Sequence, residues 1–214
     1  MRNFFFGIGH IILNIFFKIY LSLKIHGKIN IPENEGVIIA PNQKSYLDPL
    51  LIFVALPLTS ALRLYFTGAL RHRKKRWLLW LLGEKIIFMK DILGLNDAMK
   101  KFSHLLASKN KLLIFPEGDW NPETKRMVPF RGGVGTISEM TGARIIPVYI
   151  HNSGIALPEG KYFLNKTRVE IYFDKPLAIP ETLKRKYQKN SLYHLAISKL
   201  VKKRILILKK NILK

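Results

Sequence analysis

Apolar and polar positions alternate along this chain in two rhythms, one of period two and one near 3.6, and the two follow each other with little interruption. K-I-H-G-K-I-N from Lys24 alternates, and G-V-I-I-A-P from Gly36 is a short apolar run closed by proline, so both predict strands. L-L-I-F-V-A-L after Asp48-Pro49 predicts a helix, with Asp48 as a candidate N-cap and Pro49 at the first helical position. Further strands are predicted at R-L-Y-F-T-G, K-I-I-F-M, K-L-L-I-F, R-I-I-P-V-Y-I and V-E-I-Y-F. Helices are predicted at W-L-L-W-L-L, at N-D-A-M-K-K-F-S-H-L-L-A and at G-V-G-T-I-S-E-M-T-G-A, the last stopped by glycine. The alternation predicts an α/β fold: a single domain with a mostly parallel central sheet flanked by helices.

The first residues, R-N-F-F-F-G-I-G-H-I-I-L-N-I-F-F-K-I-Y-L, are more apolar than a surface helix needs to be. His10, Asn14 and Lys18 recur every four residues and form one narrow polar stripe beside a broad face of Phe, Ile and Leu. That pattern suits a helix lying in a membrane interface better than one that spans it. No small-residue cleavage site follows, so the segment is expected to stay attached. Three parts result: a membrane-associated helix over 1–23, an α/β domain over 24–180, and a basic amphipathic helix over 181–214.

Charge sharpens this picture. Lys and Arg number 36 against 14 Asp and Glu, a formal +22, in a chain that is 48% hydrophobic and therefore built to fold. Such a surface wants an acidic partner. R-H-R-K-K-R from Arg71 runs straight into W-L-L-W-L-L, and the last residues mix cations with Leu and Ile at helical spacing. Cations beside tryptophan and leucine fit anionic membrane lipid, with Trp77 and Trp80 as interfacial anchors. No nucleic-acid-binding module is recognisable, so nucleic acid is not the expected partner. The chain has no cysteine, which excludes disulfides, thiolate catalysis and cysteine-based zinc sites.

In open α/β sheets, chemistry gathers in loops beyond the carboxyl ends of strands. Two such loops stand out, N-Q-K-S-Y-L-D-P after G-V-I-I-A and P-E-G-D-W-N-P after K-L-L-I-F. A third, P-F-R-G-G-V-G, precedes a helix and offers Arg131 and backbone N–H groups to an anion. Read alone, Asp48 fits a helix cap, Ser45 a turn former, and each lysine a solvated charge.

Taken together and in order, the blocks resemble the glycerolipid acyltransferase family, typified by 1-acyl-glycerol-3-phosphate acyltransferases. The family's N-H-x-S-x-x-D is matched by N-Q-K-S-Y-L-D, Asn42 to Asp48, and its F-P-E-G-T-R by F-P-E-G-D-W, Phe115 to Trp120. G-E-K-I-I-F-M-K ending at Lys90, F-R-G-G from Phe130 and I-I-P-V-Y-I around Pro147 match the remaining blocks. The resemblance implies transfer of a fatty acyl group from a thioester, on coenzyme A or acyl carrier protein, to a hydroxyl of a lysophospholipid at the cytoplasmic face of a membrane. It implies no metal and no further cofactor. By family match, positions 43 and 48 are the catalytic pair, with Asn42, Ser45, Lys90, Glu117, Gly118 and Arg131 as substrate-binding positions.

Two departures from the pattern bear on activity. Gln43 stands in the slot of the family's histidine, and an amide cannot take a proton near neutral pH, a contribution of about 10² to 10⁴ in rate. Asp119 and Trp120 replace a threonine and a phosphate-binding arginine, leaving Lys44, Lys90, Lys125, Arg126 or Arg131 to meet an anionic acceptor. His151, directly after V-Y-I, is the best-placed substitute base. The chain is thus expected to be an acyltransferase weakened or inactivated at position 43, or alternatively a lipid-binding member of the same fold.

Overall fold

The computed structural model describes residues 2–68, 86–88, 95–118, 127–187 and 191–212. Helix α1, Arg2–Tyr20, leads into strand β1, Lys24–His26, and then β2, Val37–Pro41. Helices α2, Asp48–Ala55, and α3, Leu58–Ala61, precede β3, Leu64–Gly68, and β4, Ile86–Phe88. Helix α4, Leu95–Ala107, is followed by β5, Lys111–Leu113, α5, Gly133–Thr141, and β6, Arg144–His151. A short α6, Ser153–Ala156, then β7, Glu170–Phe173, α7, Glu181–Tyr187, and α8, Ser191–Ile212, complete the described residues. R-H-R-K-K-R, W-L-L-W-L-L with Trp77 and Trp80, Lys90, Asp119, Trp120, Lys125 and Arg126 lie outside them.

Among the described residues the sheet has seven strands in the order β1-β7-β6-β2-β5-β3-β4. Strands β2 to β6 run parallel to one another. β7 is antiparallel to β6, and β1 runs parallel to β7. The mostly parallel sheet expected from the sequence is therefore present, with β1 and β7 running against the other five. This reversal places the amino ends of β1 and β7 on the same edge as the carboxyl ends of β2 to β6. α1 ends, and the β6–β7 connection begins, where the motif loops emerge.

Every residue of β2 is buried, and its side chains alternate between two cores. Ile39 joins Phe17, Leu21, Leu51 and Val54 on the face covered by α1 and α2. Ile38 and Ala40 join Phe102, Ile137, Tyr193 and Val201 on the face covered by α4, α5 and α8. One aliphatic stripe of α8 thus belongs to the interior, while Leu192, Leu206 and Ile207 are exposed. Tyr193, Ile197, Val201 and Ile205 are buried, and this stripe packs on β6 and α5.

Helix α1 meets the domain through His10 and Asn14 of its polar stripe and through Phe17, with Phe6, Leu13 and Tyr20 packed alongside, while Lys18 stays exposed. Asn14 Nδ2 donates to the carbonyl of Val54 at 2.8 Å, and His10 Nε2 lies 3.2 Å from that of Leu56. These carbonyls sit at the end of α2, where no helical N–H remains to take them. Burial lowers the pKa of His10, partly offset by the Leu56 carbonyl, so it docks as a neutral ring. Much of the apolar face is left outside: Phe5 is 67% exposed, Ile12 60% and Ile19 73%. Among the described residues no helix is long and apolar enough to cross a membrane.

Gly135 on α5 marks where two helices touch backbone to backbone, since a Cβ there would fall 2.2 Å from the His194 carbonyl oxygen of α8. In an exposed helix, Gly→Ala gains up to about 1 kcal/mol. At this site the clash outweighs that gain, and Gly135→Ala is expected to lower stability by about 1–3 kcal/mol in urea denaturation.

Candidate active site

Asn42, the first residue beyond β2, prolongs the sheet with its side chain. Its Nδ2 donates to the Ile150 carbonyl at 3.1 Å, and its Oδ1 accepts from the Ile150 N–H at 2.7 Å. An amide is the side chain that can reproduce both halves of a strand pairing. Ser45 is spent in a similar way: Oγ donates to the Leu157 carbonyl at 2.9 Å and accepts from Leu47 N–H at 3.2 Å. The sequence places both residues among substrate contacts. The structure instead buries them and commits these polar atoms to main chain, so they shape the loop.

Asp48 is also other than the local sequence suggests. It lies inside the first turn of α2, and Leu47, which makes no side-chain cap, occupies the N-cap position. Pro49 opens the helix as expected. The Asp48 carboxylate turns back along the chain, and Oδ2 accepts from Lys44 N–H at 2.7 Å and Ser45 N–H at 2.8 Å. The residues after Gln43 are thereby wrapped around one oxygen. The other, Oδ1, is buried without a hydrogen-bond partner, and so is Ser153 Oγ of α6. Ser153 lies near enough to lower the carboxyl's pKa, yet the two groups miss hydrogen-bond geometry.

Complete burial dominates the electrostatics of Asp48 and raises its pKa to about 7. Ser153 and the amides of Lys44 and Ser45 oppose the rise, and the charge of Glu117 adds to it. A carboxyl that titrates this close to neutrality in a motif loop is a functional-site signal.

Glu117 clamps the loops together. Its Oε1 accepts from Gln43 N–H at 2.8 Å and its Oε2 from Val128 N–H at 3.1 Å. The loops after β2 and β5 and the approach to α5 thus share one buried carboxylate. Gly118 next to it has φ +76°, and a Cβ there would lie 2.7 Å from Arg131 Cδ. Glycine is required twice over, for the left-handed backbone and for the arginine laid across the turn. Arg131 N–H also donates to the Pro116 carbonyl at 2.9 Å, joining F-R-G-G to P-E-G. Its side chain is the exposed cation that the structure brings to this turn.

Gln43, Asp48, Glu117, Gly118 and Arg131 therefore converge on one edge of the sheet. His151 ends β6 on the same edge, with Nδ1 3.3 Å from the Tyr149 hydroxyl. Ser153 and the Leu157 carbonyl were invisible in the sequence, because only the β2–β6 pairing brings α6 against the loop. A cavity of about 390 Å³ lined by Glu139, Arg144 and Tyr193 lies at the amino end of β6, the opposite edge, away from the motif residues.

The acyltransferase family profile matches residues 22–151. The chain belongs to the glycerolipid acyltransferase family. It is 24% identical over 161 residues to a chloroplastic 1-acyl-sn-glycerol-3-phosphate acyltransferase of Arabidopsis thaliana, covering 74% of this chain and 44% of that protein. The corresponding Brassica napus protein is 25% identical over 161 residues, covering 74% and 46%. The chain thus spans less than half the length of these curated relatives. The crystal structure of the 1-acyl-sn-glycerophosphate acyltransferase PlsC of Thermotoga maritima has the same fold, with TM-score 0.63, 20% identity, and coverage of 87% of this chain and 72% of that one. In this acyltransferase-family chain the matched region takes in the loop after β2, the P-E-G turn and β6 as far as His151.

Two measurements probe the site. Because the folded pKa of Asp48 lies above its unfolded value near 3.8, the folded state holds the proton more tightly, and its contribution to stability falls as pH rises from about 4 to about 7. Asp48→Asn is expected to fold and to lose that pH-dependent decline, a difference on the order of 4 kcal/mol across the window in denaturant titrations. Glu117→Gln leaves one of its two N–H partners facing an amide donor, and is expected to cost about 1–3 kcal/mol.

Proposed function

We propose that this acyltransferase-family protein transfers a fatty acyl group from an acyl thioester to a lysophospholipid hydroxyl, 1-acyl-glycerol-3-phosphate being the model acceptor, with its proton-abstraction step weakened by Gln43. The observation that carries the reading is the buried Asp48 carboxyl, with Oδ2 locked on the backbone after position 43 and Oδ1 unclaimed. A histidine at 43 would find in Oδ1 the acceptor that orients a ring and stabilises its charged form. Gln43 can donate to the same oxygen through its amide but cannot take the proton.

In the reaction the acceptor oxygen attacks the thioester carbonyl, the C–S bond breaks, and the hydroxyl proton ends on the departing thiol. Holding the two substrates together supports part of this without a base. Arg131 supplies positive charge for the acceptor's anionic group, as Lys90 does by family match. The donor thiol is carried by coenzyme A or acyl carrier protein, both acidic and suited to a chain of net charge +22.

We further infer attachment to the membrane surface by α1, whose exposed apolar face includes Phe5, Ile8, Ile12, Ile15, Phe16 and Ile19. The protein's own polar contacts take His10 and Asn14 from the stripe that an interfacial helix ordinarily turns to water, and a lipid leaflet is the environment that suits the exposed apolar face.

Gln43→His is expected to raise transfer to a lysophospholipid by about 10²–10⁴-fold, and Asp48→Asn in that background to remove the gain. A Gln43→His protein inert toward every lysolipid supplied, yet still binding it, would leave the lipid-binding alternative standing. In co-sedimentation with anionic vesicles, Ile15→Glu with Ile19→Glu is expected to release the protein. Steeply salt-dependent retention on DNA with no vesicle binding would overturn the membrane reading.

A further inference from the structure

The connection between α6 and β7 contains a short arm with two adjacent exposed aromatic residues at its tip. Tyr162 is 72% exposed and Phe163 87% exposed, side by side. The base beneath them is pinned. Asn165 N–H donates to the Ala156 carbonyl at 2.7 Å, its Nδ2 donates to the Ile155 carbonyl at 3.0 Å, and Lys161 N–H donates to the Pro158 carbonyl at 3.2 Å. Ordering a loop carries an entropic cost, and here the ordering leaves two aromatic side chains in water. Scattered apolar residues on a surface need no explanation, but a fixed aromatic pair continuous with a larger apolar surface does.

That continuity is traceable residue by residue. Phe16, on the exposed face of α1, stacks on Tyr20 at 5.5 Å between ring centroids, and the Tyr20 hydroxyl donates to the Leu164 carbonyl at 2.9 Å. Leu164 is the neighbour of Phe163. The reversed direction of β7 brings this about, because it starts the strand on the motif edge, where α1 also ends. The arm carries Lys161 and Lys166, both exposed, against the single acid Glu159. Adjacent aromatics between lysines have the chemistry of the headgroup region of an anionic leaflet.

We propose that the arm Pro158–Thr167 is a second membrane-insertion point, its Tyr162–Phe163 tip entering the same leaflet that receives α1. This rests on the membrane attachment inferred above and adds an orientation to it. α1 alone fixes one line of contact and leaves the domain free to roll about it. A second contact at the motif edge removes that freedom and holds the loop of Gln43 and Asp48 at the lipid surface. The mechanical link is short: Ser45 Oγ donates to the Leu157 carbonyl, at the root of the arm. A lysophospholipid would then present its headgroup without leaving the leaflet.

The absence of cysteine allows single sites to be labelled. An environment-sensitive fluorophore on Phe163→Cys, Ile19→Cys or Ile29→Cys is read with vesicles of phosphatidylglycerol and phosphatidylcholine carrying brominated chains. Ile29 is 95% exposed just beyond β1, on the opposite edge, and serves as the aqueous reference. The expected result is a blue shift and quenching at positions 163 and 19, and neither at 29. Quenching at 19 with an unchanged, water-exposed signal at 163 overturns the second contact while leaving attachment by α1 intact. No change at either position overturns both. A shift at 163 produced by acyl carrier protein but not by vesicles assigns the arm to a protein partner and overturns the proposal. Tyr162→Ser with Phe163→Ser is expected to weaken vesicle partitioning about tenfold or more at an unchanged thermal midpoint; unchanged partitioning overturns the proposal.

Discussion

A carboxylate removed from water, that of Asp48, sets the geometry of the motif edge. Charge in an apolar interior is tolerated only where hydrogen bonds replace the lost hydration, and the nearest N–H groups are those of Lys44 and Ser45. Accepting from both curls the loop and starts α2 with its first residues inside the core. Asn42 and Glu117 then fasten the loop on either side, to Ile150 and to Val128. Three carbonyl-bearing side chains thereby hold Gln43 in place from below. The hydrogen bonds that hold residues 43–45 run to backbone N–H groups, so they do not depend on the side chain at position 43.

The same logic explains how α1 is attached. The carbonyls at the end of α2 need donors, and Asn14 and His10 supply them. Meeting that demand turns His10 and Asn14 inward beside Phe17 and leaves much of the Phe and Ile face outward. The exposed apolar surface that results is the one proposed above to meet a lipid leaflet, and it ends at the edge where the motif loops lie. The end of α1 and the motif loops are brought to one side of the sheet by the direction in which the strands run.

Much of this was legible in the chain. Among the described residues the predicted strands and helices are present, because each depends on neighbours a few residues away. Asp48 misled for the same reason. Asp before Pro is a sound local signal for a cap, yet burial turned the carboxylate toward amides upstream instead of downstream. Asn42, Ser45 and Glu117 stand at the motif edge, but their roles as supports depended on Ile150, Leu157 and Val128, up to 112 residues away in the case of Ser45 and Leu157. One stripe of α8 packs in the core because β6 and α5 offer it a surface.

The sequence by itself determined the α/β fold, the family and which residues form the motif blocks, Gln43 included, since periodicity and motif spacing are properties of the covalent chain. Only the tertiary structure decided that β1 and β7 run against the other strands, which face of α1 meets the protein, and that Ser153 and the 158–167 arm stand beside the motif loop. Those outcomes follow from long-range pairing, in which a donor and an acceptor far apart in the chain find each other because neither can remain buried alone.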